Sequence, residues 1–162
     1  MKQCSKLGKW ITRERARVDR IACPWLIKHF VDKEAEFLFV PKDKVKEIAA
    51  KESATPFDSP NVELTHYEEN GRERVSFDAI IRKYNLEDPA LLELAKIVRG
   101  ADASIEDTPL ESAGLEAAAI GFQNIAKNDH DNMRLQFPLY DAIYRYCQLK
   151  IDKSQKLEHV TR

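Results

Sequence analysis

The stretch DRIACPW, residues 19–25, sets an acid, a base and a thiol just ahead of a proline and an aliphatic run. Proline suits the first position of a helix, because its missing N–H is one of the donors that a helix start leaves unpaired anyway. With Pro24 in that position, Cys23 becomes the N-cap and its sulfur sits beside the unpaired N–H groups of the first turn. A helix end favours negative charge by about 0.3–1 kcal/mol, less than the ~1.4 kcal/mol that one pKa unit represents, so a thiolate there needs a second cation. Arg20 is the nearest one, with Asp19 to orient it. This makes Cys23 a candidate catalytic thiol and the pair a seat for a thiolate or a bound anion. The competing reading is a small core residue at a helix start.

Two further groups of residues have chemical potential. Arg13, Arg20 and Arg99 are candidate oxyanion binders, since a guanidinium fork matches two oxygens at once. Glu63, His66, Asp78, Asp102, His130 and Asp131 combine imidazoles with carboxylates, a mix that suits manganese, iron or zinc better than a thiolate site does. No short zinc motif is present, so this set works only if distant segments converge. Each residue also has a structural alternative. His66 can be a core histidine bonded to a carbonyl, His130 in NDHD a capping residue, and Arg99 a partner of a helix dipole. His29 and His159 read as surface residues, and Tyr140, Ile143, Tyr144 and Cys147 have the spacing of a core stripe.

These residues have to be positioned by a mixed set of elements. KWIT (9–12) and EFLFV (36–40) read as buried strands, with a helix over PWLIKHFVD between them. KDKVKEIAAKES follows as a surface helix and ATPFDSP as a loop. VELTHY alternates as a third strand with His66 on the apolar side, and Asn70-Gly71 supplies a turn. Beyond Ser76 the pattern is helical. Ser76 caps FDAIIRKY, Asp88-Pro89 opens PALLELAKIVR, and Gly100 falls where a left-handed C-cap belongs. TPLE forms a capping box for the next helix, on which Gly114, Ala118 and Gly121 leave a bare side for a neighbour. Pro138 predicts a kink or break in the last helix. The fold class is therefore α/β (α+β), a small sheet of three to four strands in the amino half packed on a helical carboxyl half. Residues 1–150 make one domain and 151–162 a flexible tail.

Composition narrows the function classes. The chain has 162 residues, 33 % charged and 43 % hydrophobic, and no apolar run reaches the roughly 18 residues of a membrane span. No secretory leader pattern opens it, and its three cysteines form no CxxC, which together predict a cytoplasmic protein with reduced thiols. A net charge of −1 argues against a dedicated nucleic-acid module, although Lys2, Lys6, Lys9, Arg13, Arg15, Arg17 and Arg20 make the amino end locally basic.

The segments WITRERARVDRIACPWLIKHFVDKEAEFLFVP, ATPFDSPNVELTH, SFDAIIRKYNLEDPAL, IVRGAD and YDAIYRYC resemble the chromate-resistance protein family, also found as the carboxyl-terminal domain of chromate-responsive transcriptional regulators. The resemblance runs from about Trp10 to Cys147. It implies a cytoplasmic domain that binds or senses a chromate- or sulfate-like oxyanion, or a metal ion, in a stress response. It implies no direct nucleic-acid contact by this chain alone, and a homo-oligomer is compatible with it. The family often carries a cysteine where Val75 stands here, which bears on the alternative reading, a metal- or thiol-dependent redox enzyme acting on chromate or its by-products.

Overall fold

The computed structural model describes residues 8–103 and 105–160, so Lys2, Cys4 and Lys6 of the basic amino end lie outside it. KWITR forms β1 (Lys9–Arg13) and EFLFV forms β2 (Glu36–Val40), paired in parallel with Lys9 opposite Glu36 and Arg13 opposite Val40. Parallel neighbours need a crossover, and α1 (Asp19–Leu26), extended by a π-helical turn over Ile27–Val31, provides it. After α2 (Val45–Glu52), the two-residue β3 (Thr55–Pro56) joins the free side of β1, giving the order β2-β1-β3. Pro56 is tolerated because β3 is an edge.

The third strand expected over VELTHY does not form. Residues 62–66 run as a loop fastened by a single bridge between Phe57 and Leu64, and pairing begins at Tyr67. There β4 (Tyr67–Glu69) and β5 (Arg72–Arg74) make a hairpin, with Asn70 and Gly71 both at positive φ as the tight turn requires. Freed from a pleat, His66 is not bound to the apolar side, and its side chain is 36 % exposed.

The carboxyl half is helical: α3 (Ser76–Lys83), α4 (Pro89–Asp102), α5 (Leu110–Ile125) and α6 (Asp129–Val160). Asp88 caps α4 as expected, accepting from the Ala90 N–H at 3.0 Å. Gly100 is not a C-cap. It lies inside α4, where an added Cβ would meet Thr108 Cγ2 at 2.6 Å and Ser112 Oγ closer still. Glycine is needed for the approach of α5, and α4 continues two residues further, to Asp102. The TPLE box is also absent, because α5 starts at Leu110 and the Thr108 hydroxyl donates to the Ile105 carbonyl instead. Among the described residues, nothing lies within 4 Å of an added Cβ at Gly114 or Gly121, so the bare side of α5 faces away from the fold. Pro138 does not break α6, which also continues through residues 151–160, exposed beyond Ile151.

One core joins the two halves. Trp25 on α1 and Tyr140 on α6 are fully buried in it, along with Phe57, Phe77, Leu91 and Leu94. Burying such side chains contributes roughly 1.5–3 kcal/mol each and clamps α1 between α3 and α6.

Candidate metal centre

The site begins with a cap that α3 borrows. Its N-cap residue is Val75, which has no polar side chain to offer the first N–H groups, and Ser76 is the first helical residue rather than the expected cap. Asp19, the first residue of α1, reaches across. Its Oδ2 accepts from the Ser76 N–H at 2.8 Å and its Oδ1 from the Phe77 N–H at 3.1 Å. Asp78 completes the end by accepting from the Val75 N–H at 3.0 Å, and holds Arg99 through Nε at 2.9 Å and Nη2 at 2.6 Å.

Three carboxylates converge on one imidazole. His66 Nε2 lies 3.1 Å from Asp102 Oδ2, 3.5 Å from Asp19 Oδ2 and 3.5 Å from Asp58 Oδ1. On the other side of the ring, Nδ1 is 3.4 Å from Glu73 Oε1. The Ser76 hydroxyl donates to Asp58 Oδ1 at 2.7 Å, so Ser76 braces two of the acids at once. One ligand atom each from Asp19, His66 and Asp102 can be chosen so that all lie within 4.8 Å of one another, a spacing suited to a shared ion. Glu73 on Nδ1 is the kind of carboxylate partner that fixes the tautomer of a ligating histidine and leaves Nε2 for the metal.

The electrostatics fit a cation. Hydrogen bonding to Asp102 and then to Asp19 pushes His66 up to about 11. Burial raises Asp19, and the neighbouring Asp58 and Asp102 charges add to the effect. The same negative surroundings suit a divalent ion, which would have to displace that proton. Carboxylates with one imidazole suit manganese, iron or zinc.

The thiol lies elsewhere in the helix than expected. Helix α1 starts at Asp19, anchored by Ile21 and Ala22 N–H bonds to the Val18 carbonyl, so Cys23 and Pro24 are interior to it. Cys23 is fully buried and donates to Asp19 Oδ1 at 3.4 Å. Burial and the Asp19 charge raise its pKa well above the ordinary value, opposite to the activated thiolate that an N-cap position implied. Arg20 turns away from it, with Nε 3.3 Å from Asp58 Oδ2 and Nη1 donating to the Arg13 and Glu14 carbonyls. Arg13 likewise serves Asp58, through its backbone oxygen at 3.0 Å and its carboxylate at 3.7 Å.

Of the six metal-ligand candidates, His66 and Asp102 meet. Glu63 pairs with Lys83 at 2.7 Å, Asp78 with Arg99, and Asp131 with Arg134 at 2.8 Å, while His130 packs edge-on against Phe39. Sequence reasoning missed Asp58 and Glu73, read Ser76 only as a helix cap, and placed Asp19 only as an orienter of Arg20. Asp19, Asp58 and Ser76 all lie inside the long segments that carried the family resemblance, and that was the available signal.

Residues 10–147 match the family model described as ChrB, C-terminal domain. The chain is 33 % identical over 140 residues to Protein ChrB of Cupriavidus metallidurans, an alignment that covers 85 % of this chain and 40 % of that relative. No solved structure matches. No helix among the described residues is long and apolar enough to cross a membrane.

Proposed function

This chain belongs to the ChrB C-terminal domain family, and from that premise we propose that it serves chromate resistance as a metal-binding domain, with Asp19, His66 and Asp102 as ligands to one divalent ion. The observation that supports this reading is the meeting of those three side chains from α1, the loop before β4 and the end of α4. Asp58 stands by as a third carboxylate, its charge shared with Arg13 and Arg20. An ion held by three protein ligands keeps positions open for water or for an oxyanion oxygen, which is how a metal site becomes responsive to a chromate-like ligand. The thiol-dependent alternative gains no support from a Cys23 that is buried and whose thiol pKa burial raises.

The test is elemental analysis of protein purified without chelator, followed by titration of the chelated protein with Mn²⁺, Fe²⁺ and Zn²⁺. Stoichiometric, saturable binding that His66→Ala abolishes is expected. Absence of saturable binding for all three ions overturns the proposal.

A further inference from the structure

Glu73, whose Oε1 faces His66 Nδ1, also helps line a cavity of about 650 Å³. Four cations stand in its walls. Arg72 and Arg74, two apart on β5, and Lys96 and Arg99, one helical turn apart on α4, have the spacings that put each pair on a common face. Glu106 and Asp107, from the connection between α4 and α5, line it as well.

The hydrogen-bond capacity of these cations is incompletely used. Arg99 spends Nε and Nη2 on Asp78, and its Nη1 has no hydrogen-bond partner among the described residues. Arg72 makes no ion pair or side-chain hydrogen bond there. Arg74 Nε is buried without an acceptor, since Glu69 Oε2 at 3.4 Å is near enough for an ion pair but makes no hydrogen bond. Arg72 and Arg99, both in the cavity wall, keep guanidinium donors that a ligand oxygen can take up.

We propose that this cavity is an anion site distinct from the metal centre, taking an organic phosphate whose tetrahedral head is held by Arg72, Arg74 and Arg99. Guanidinium forks match the paired oxygens of a phosphate group. The volume falls in the range of small-molecule sites, about 300–1,000 Å³, and exceeds what a bare tetrahedral ion fills. Glu106 and Asp107 accept hydrogen bonds, so they suit a hydroxylated body such as that of a sugar phosphate. The proposal does not rest on the metal reading.

The experiment is calorimetric titration of the whole chain with ribose 5-phosphate and, separately, with inorganic phosphate. Saturable binding of ribose 5-phosphate is expected, weakened about tenfold by Arg72→Gln and by Arg74→Gln and unchanged by Asp102→Asn. Arg72 is exposed and outside the core, so its variant tests the site without a change of fold. Equal affinity for inorganic phosphate overturns the organic body. Absence of saturable binding for both probes, or binding that neither arginine variant weakens, overturns the site.

Discussion

His66 Nε2 stands 3.1 Å from Asp102 Oδ2, nearer than to Asp19 or Asp58, so the carboxyl end of α4 and the loop before β4 close the site on each other. Asp102 has no capping duty comparable to that of Asp19, which holds two amides of α3. Both acids face His66, but only Asp19 also holds helix amides, so substitutions at the two should differ in their effect on folding.

Asp102→Asn is expected to lower divalent-metal affinity by about 100-fold or more, given that even the outer partners of a ligand are worth about 10–100-fold. Unfolding of the metal-free chain by urea should shift only through the lost partner of the His66 imidazolium, with no helix amide orphaned. Asp19→Ala should lose the metal and also about 1–3 kcal/mol of metal-free stability, through the orphaned Ser76 and Phe77 amides. Equal urea midpoints for the two variants would contradict this division.

The proton and the ion compete for His66. In the metal-free chain the imidazole is raised from its ordinary 6.5 to about 11, so its contribution to stability is whole below pH 6.5 and is lost as pH rises through about 11. A metal needs the neutral ring, so affinity should increase with pH across the neutral range. Calorimetry in two buffers of different ionisation enthalpy should show release of about one proton per ion bound. Binding without proton release would place the ion away from His66.

Thiol reactivity should follow burial. Cys23 is raised well above the ordinary thiol value of 9.0, first by burial and then by Asp19, and burial pushes Cys147 up to about 11. Both should resist iodoacetamide in the native chain at neutral pH and react in denaturant, as read by site-resolved mass spectrometry. Rapid native modification of Cys23 would restore the thiol reading.

The same substitution should have opposite signs on two helices. Gly100→Ala forces a methyl against Thr108 and against Ser112, whose hydroxyl donates to the Ile97 carbonyl. Overpacking of about 1–3 kcal/mol outweighs the ~1 kcal/mol gained in helix propensity, so thermal unfolding should fall by several degrees. Gly114→Ala meets nothing and should gain up to about 1 kcal/mol. A stabilised Gly100→Ala would mean that α5 yields.

Local chemistry was enough for β1, β2, the Asn70-Gly71 hairpin and the Asp88 cap, because each is decided by residues within a few positions: aromatic and β-branched runs, paired positive φ, and a side chain bonding two residues on. The same local rules failed at Cys23, Gly100 and the TPLE segment. Anchoring of Ile21 and Ala22 to the Val18 carbonyl starts α1 ahead of its proline, and the approach of α5 uses Gly100 for space rather than for conformation. These are long-range effects, and they also make the site. Asp102 is in reach only because α4 runs past Gly100, and Asp19 faces His66 only because it caps a helix 57 residues away. The sequence by itself determined which family the chain resembles and which side chains were available. Which of them share one ion-sized space was decided by tertiary packing, since a carboxylate's neighbours depend on where whole helices dock and not on its own flanking residues.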